Sequence, residues 1–406
     1  MIPLMAVLPK HVAVYVPALN RGGAERVAAL LASGFHKAGR RVTLLVDFEA
    51  GDNLALVDQG IRIVVFGRSH GASVRALARL LGQGGRDGGI DVALAIGGAA
   101  NVKLSLAHLL SRSRARIVLS YHGRSGVGRG RLGHAAYSFA PLLARRADAV
   151  VCVSDGLCAH LRDDWKVPPA KLTRIYNPVS VENALPASRG ELESRPPVIV
   201  GMGRLNAEKG FAALVEALAR MRADARLVIF GEGPERPNLL ARARELGLGD
   251  RVELPGYRDD PWPCYAAGRC FALASPNEAF GNVVVEALAS GLPVVATRSG
   301  GPDEILAEGR FGALVANGDI EGLAGALDRA LSEPGDPAPR IARAAEFTVE
   351  RAVRHYLDLF DGLSGVSAPG QAVVPVIPGS ARSPMAGRAG GPARSRRPSG
   401  FRHRPR

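Results

Sequence analysis

Aromatic residues make up only 5% of this 406-residue chain. That is too few for the stacking surface on which proteins bind single-stranded nucleic acid. Cysteine is scarce as well. Cys152, Cys158, Cys264 and Cys270 have neither C-x-x-C spacing nor a histidine cluster beside them, which argues against a structural zinc site. They read as reduced, mostly buried thiols of a cytosolic protein. No run of eighteen apolar residues occurs, so no helix is expected to span a membrane. The apolar start, residues 1–19, lacks a basic n-region and reads as a first strand, not a signal peptide. Acids are absent from Gly365 to the end, where eight arginines supply most of the formal charge of +14.

What remains is a globular composition, 47% hydrophobic and 22% charged. Its length suits two or three domains. The tail 365–406 is rich in Gly, Pro, Ser and Arg and is expected to be disordered. Its charge could alternatively meet an anionic membrane surface or a polyanion.

Short apolar runs alternate with helical stretches along the rest. Strands are expected over 11–18, 41–47, 61–66, 91–96, 117–120 and 149–154, with a helix over 25–38. Continuous apolar strands imply a parallel sheet covered on both faces. Asn177–Pro178 closes this pattern, and a polar, proline-containing linker follows over 184–197. The pattern restarts with strands over 198–202, 227–230, 252–254, 271–274 and 294–297. Helices alternate with them over 211–220, 235–246, 261–267 and 281–289, and a last helix runs over 348–363. The expected fold is α/β: two facing Rossmann-like, doubly wound domains with a cleft between them. Residues 1–183 are expected to form the first domain and 198–346 the second. Residues 347–364 cross back to the first.

Three constellations carry chemistry. Asn20-Arg21-Gly22-Gly23-Ala24-Glu25 lies between the first strand and first helix, where open α/β sheets bind ligands. Its glycines allow close approach of a phosphate or sugar, or simply make a tight turn. Gly201 to Gly210 has Asn206 where a dinucleotide fingerprint needs its third glycine, and adds Arg204 and Lys209. Those cations suit a leaving diphosphate without a metal; alternatively they are solvated surface charges. Glu278 and Glu286 bracket the start of an otherwise apolar helix. A carboxylate there is costly unless partnered, and a ribose diol offers two donors to Glu286. Glu278 would face donor-sugar hydroxyls, or cap the helix. The amides of Phe280, Gly281, Asn282 and Val283 open toward an anion.

These residues resemble the family-4 retaining glycosyltransferases, which have the GT-B architecture. The matching pieces are G-G-A-E at 22–25, G-R-L-x-x-x-K-G at 203–210 and E-A-F-G-x-x-x-x-E-A at 278–287, then G-L-P-V-V-A-T at 291–297 and G-G-P-D-E-I at 300–305. The resemblance implies a donor-phosphate loop at Gly22 and Gly23, and a diphosphate clamp at Arg204 and Lys209. It implies a ribose contact at Glu286 and a sugar contact at Glu278. Tyr257 would sit beside the base and His122 would line the reaction centre. Arg298 departs from the acidic or Asn residue common at its position, and Asn282 from an apolar one.

The expected activity is transfer of a hexose or N-acetylhexosamine from a nucleotide diphosphate sugar, UDP favoured over GDP. The acceptor would be a glycan or lipid-linked molecule in cell-surface polysaccharide synthesis. Competing expectations are a GT-B epimerase or phosphorylase, and, on charge alone, a basic nucleic-acid-binding protein. No cofactor or obligatory metal is expected, and no nucleic-acid partner. The stretch 121–146, with Arg124, Arg129, Arg131, Arg145 and Arg146, could form a helix that rests on an anionic membrane surface, or an ordinary solvated face. The expected location is cytoplasmic, peripheral at the inner face of the membrane.

Overall fold

The computed structural model describes residues 11–48, 51–67, 69–83, 89–123 and 136–364. The tail 365–406, residues 1–10 and Arg124, Arg129 and Arg131 lie outside the described residues.

Seven strands form the first sheet: β1 His11–Tyr15, β2 Arg41–Val46, β3 Arg62–Val65, β4 Val92–Ile96, β5 Arg116–Tyr121, β6 Ala149–Cys152 and β7 Leu172–Arg174. They lie in the order β3-β2-β1-β4-β5-β6-β7, all parallel. The second sheet holds β8 Val198–Met202, β9 Arg226–Phe230, β10 Val252–Gly256, β11 Cys270–Leu273, β12 Val294–Thr297 and β13 Ala313–Val315. Its order, β10-β9-β8-β11-β12-β13, repeats the first, again all parallel. In both sheets the strand order reverses beside the first strand, at β1/β4 and β8/β11. Crevices open at such points beyond the strand ends. Two Rossmann-like domains of this kind constitute a GT-B fold. The edge strands β7 and β13, three residues each, escape sequence reading because so short a run has no periodicity.

Helices cover both faces of each sheet. Helices His70–Gly82, Gly98–Ser111, Asp155–Asp163 and Asn282–Ala289 supply crossovers that parallel pairing requires. Of the stretch 121–146, Tyr121 ends β5 and Ala140–Arg146 is a short helix with Pro141 in its first turn; residues 124–135 lie outside the described residues.

The last helix, Val349–Leu363, packs on the first domain. Phe35 of helix Gly23–Lys37 meets the rings of Tyr356 and Phe360 at 6.0 and 5.5 Å. The chain returns there through Phe347, whose carbonyl accepts the Val179 amide at 2.9 Å.

A carboxylate also joins the two domains. Glu304, on helix Gly301–Ile305, accepts the amides of Asp155 at 2.9 Å and Gly156 at 2.7 Å. Those amides begin helix Asp155–Asp163 and have no partner within it; the helix dipole favours an acid at that end. Burial nevertheless raises the Glu304 carboxyl above the usual range, and the two amides offset this only partly. A raised folded pKa means that the native state holds the proton longer than the unfolded chain. Stability gained below the ordinary glutamate pKa is therefore lost as pH rises through the folded value. Urea unfolding at a series of pH values should show this decline above the ordinary glutamate range, and Glu304→Gln should flatten it.

Candidate active site in the interdomain cleft

The crevice of the second domain is built by backbone that only glycine permits. The segment after β8 makes a turn, Ala207–Lys209, ended by Gly210 at φ 65°. A Cβ on Gly210 would stand 2.1 Å from the Ala274 carbonyl oxygen, so the turn can lie directly on the end of β11. That contact brings Lys209 to the loop after β11. Its Nζ lies 2.6 Å from Glu278 Oε2, and both side chains are mostly buried. Asn206 Oδ1 and Ser275 Oγ, near these same strand ends, are buried with no hydrogen-bond partner among the described residues.

Glu278 is fixed through its backbone. Its amide donates to Ser299 O at 3.0 Å and its carbonyl accepts from Gly301 N at 2.9 Å. Gly281, at φ 100°, stands just before helix Asn282–Ala289 rather than inside it. The Asn282 and Val283 amides therefore form its open end. Phe280 contributes backbone alone, since its ring is buried between Tyr176 and Phe347, each 5.7 Å away.

Glu286 is 6% exposed. The Tyr265 hydroxyl donates to its Oε2 at 2.7 Å. Burial, and then the neighbouring Glu286 charge, push the Tyr265 pKa far up, so the hydroxyl remains a donor. One carboxylate oxygen is thus engaged by protein. Sequence reading missed Tyr265. The one available signal was the need of a carboxylate on an apolar helix for a partner.

The first domain closes against this crevice. Gly22 precedes helix Gly23–Lys37, and the Glu25 carboxylate folds back where a Gly22 Cβ would stand. A Cβ on Gly23 would lie 3.8 Å from Asn282 Nδ2, which places the glycine loop opposite the helix start. Asn177 Nδ2 donates to Asn282 Oδ1 at 3.0 Å, so Asn282 makes an interdomain contact. Arg204 Nη2 donates to the Arg21 carbonyl at 3.2 Å. The Arg21 guanidinium stands 4.1 Å over the Tyr257 ring and 2.8 Å from Asp52.

His122 follows β5 in the first domain, its Nε2 2.8 Å from Ser120 Oγ, which in turn lies 3.3 Å from the Tyr356 hydroxyl. Arg298 reaches Asp303 at 3.1 Å and Glu308 at 2.9 Å. Asp303 also accepts the Ser299 and Gly300 amides, so the arginine settles into a loop shaped by that aspartate. Among the described residues, no three His, Cys, Asp or Glu side chains converge as metal ligands.

Two Rossmann-like domains with this crevice define a GT-B protein. Residues 187–347 match the family described as glycosyl transferases group 1, and residues 21–183 match glycosyltransferase family 4. The chain belongs to the family-4, group 1 glycosyltransferases. It is 36% identical over 192 residues to the lipopolysaccharide core biosynthesis glycosyltransferase LpsE of Rhizobium meliloti, covering 47% of this chain and 55% of that one. It is 35% identical over 175 residues to the N-acetylgalactosamine-N,N'-diacetylbacillosaminyl-diphospho-undecaprenol 4-alpha-N-acetylgalactosaminyltransferase of Campylobacter jejuni, covering 43% and 48%. The match thus spans about half the length of these relatives. In overall fold it is similar to Anabaena HepE, solved with UDP and glucose, with a TM-score of 0.74 at 22% identity over 87% of this chain and 99% of that one.

Tyr265→Phe tests the carboxylate anchor. Removing a donor to a buried charge should destabilise the protein by about 1.5–3 kcal/mol in urea unfolding.

Proposed function

We propose that the protein moves a hexose or N-acetylhexosamine from a nucleotide diphosphate sugar to a glycan or lipid-linked acceptor, with retained configuration, in cell-surface polysaccharide synthesis. The observation that carries this is the Lys209–Glu278 contact of 2.6 Å at the switch point of the second sheet. A cation for phosphate and a carboxylate for sugar hydroxyls stand side by side there, with Glu286 further along the same helix region. UDP is the favoured nucleotide, supported by the UDP-bound HepE structures. A lipid-linked acceptor is supported by the undecaprenol-linked substrate in the Campylobacter relative's name.

In this mechanism the donor lies on the second domain. Glu286 takes the ribose, Tyr257 stands beside the base, and Arg204, Lys209 and the amides of Gly281, Asn282 and Val283 receive the diphosphate. Gly22 and Gly23 approach the phosphates from the first domain. Lys209 exchanges its contact with Glu278 for phosphate oxygen, which releases Glu278 to the sugar hydroxyls. The bond from the anomeric carbon to the diphosphate oxygen breaks, and the acceptor oxygen bonds to that carbon on the same face. The acceptor proton passes to the leaving phosphate oxygen. His122 lines the acceptor side of this centre. Domain closure excludes water and aligns the acceptor. Neutralisation by Arg204, Lys209 and amides makes a divalent ion unnecessary, so turnover should be unchanged by EDTA. The protein is proposed to act at the cytoplasmic membrane face; no described helix is long and apolar enough to cross a membrane.

Lys209→Ala and Glu286→Ala test the assignment. Each should lower donor turnover, read as nucleotide release with acceptor present, by about 10²–10³-fold while circular dichroism stays native. Wild-type turnover in both variants would overturn it.

A further inference from the structure

Asn177 and Asn282 meet across the domain boundary. Asn177 lies beyond β7 in the first domain, and Asn282 is the first residue of helix Asn282–Ala289 in the second. Asn177 Nδ2 donates to Asn282 Oδ1 at 3.0 Å. Ring packing holds the backbone on both sides of this bond. Tyr176, adjacent to Asn177, lies 5.7 Å from Phe280 and 5.1 Å from Phe347. Phe280 in turn precedes Gly281 and Asn282. The two carboxamides therefore face each other from anchored positions.

Two facing carboxamides can exchange two hydrogen bonds, since each carries donors and an acceptor. Here only one forms. Asn177 is 7% exposed, and its Oδ1 is buried without a hydrogen-bond partner among the described residues. A buried acceptor left in that state costs stability, so a role as a domain fastener does not account for the pair. The donor that could have completed it, Asn282 Nδ2, is turned elsewhere. Asn177 engages the oxygen of Asn282, which leaves the amide group facing the glycine loop, 3.8 Å from the position of a Cβ on Gly23. Asn282 is half-buried, and its Nδ2 has no acceptor among the described residues. Glycine at 23 keeps that amide group uncovered, where a longer side chain would lie against it.

We propose that the Asn282 side chain is a further contact to the donor diphosphate, and that Asn177 is the positioning residue that turns its amide group toward it. The proposal rests on the donor site described under the proposed function and adds to it a side chain governed from the other domain. The open backbone amides of Asn282 and Val283 already favour an anion at this helix start. The Nδ2 group adds donors at the same place, and hydrogen bonds to a charged phosphate oxygen are the stronger kind. A sugar hydroxyl could accept from Nδ2 as well, but it would make no use of the helix start. Because Asn177 belongs to the first domain, the amide is aimed only while the domains are in contact. A diphosphate that binds the aimed amide then favours the joined arrangement through its differential affinity.

Calorimetric titration of the full chain tests this without an acceptor, using UDP or GDP, whichever the wild type binds, and the matching nucleoside. Asn282→Leu should weaken the nucleoside diphosphate by about tenfold and leave the nucleoside unchanged, with a native circular dichroism spectrum. Asn282→Asp keeps the oxygen that accepts from Asn177 and removes only the N–H donors, so it should weaken the diphosphate at least as much. Asn177→Ala should weaken the diphosphate in the wild-type background and cause no further loss in the Asn282→Leu background, because a positioning residue acts through the group it positions. Wild-type diphosphate affinity in Asn282→Leu would overturn the proposal. So would equal losses for diphosphate and nucleoside, a loss seen only with the nucleotide sugar, or additive losses from Asn177→Ala. Lys209→Ala separates this from the donor site itself. If it loses the diphosphate while Asn282→Leu retains it, the donor site stands and the Asn282 contact falls; a wild type that binds neither nucleotide overturns both.

Discussion

Parallel strand pairing is the constraint on which this protein rests. Each strand must be followed by a crossover before the next can pair in the same direction. All carboxyl ends of a sheet therefore lie on one edge, and the loops there gather by necessity. With two sheets of the same order, reversal at β1/β4 and β8/β11 creates a crevice in each. Most residues of the proposed donor site then follow from a strand end: Gly22 from β1, Arg204 and Lys209 from β8, Tyr257 from β10, Glu278 from β11; Glu286 lies on the helix beyond.

Charge inside the cleft is held in mutually satisfied pairs. Lys209 meets Glu278, Arg204 meets the Arg21 carbonyl, and Arg21 meets Asp52 and the Tyr257 face. A partly buried ion left alone would be costly, whereas a pair exchanged for phosphate and hydroxyls changes partners without passing through an unpaired state. Glu286 differs. Its Tyr265 partner has a pKa pushed far up and so stays a donor, which makes this carboxylate a fixed feature of the second domain.

The domain boundary is built from different materials. Glu304 ends a helix of one domain at the start of a helix in the other, while Tyr176, Phe280 and Phe347 pack as rings 5.1 to 5.7 Å apart. The aromatic contact is non-directional; the carboxylate contact fixes orientation. Phe280 belongs to this packing by its ring and to the cleft by its backbone, which couples the helix start at Asn282 to the boundary.

Much of this was legible in the chain. Long apolar runs such as 11–18 and 92–96 announce buried parallel strands, because a strand covered on both faces needs no polar alternation. The Arg204, Lys209, Glu278 and Glu286 spacing was readable as a proposed donor site because local turns and one helix place these residues. What the sequence could not yield is contact between distant segments: Tyr265 beneath Glu286, Glu304 on the Asp155 helix, the orientation of Asn282 toward Asn177. The short edge strands β7 and β13 were equally hidden, since three residues carry no period. Local propensity and pattern are properties of neighbours in sequence and were determined there. Which faces become buried depends on loop closure and packing among segments far apart, and only the tertiary structure decided it.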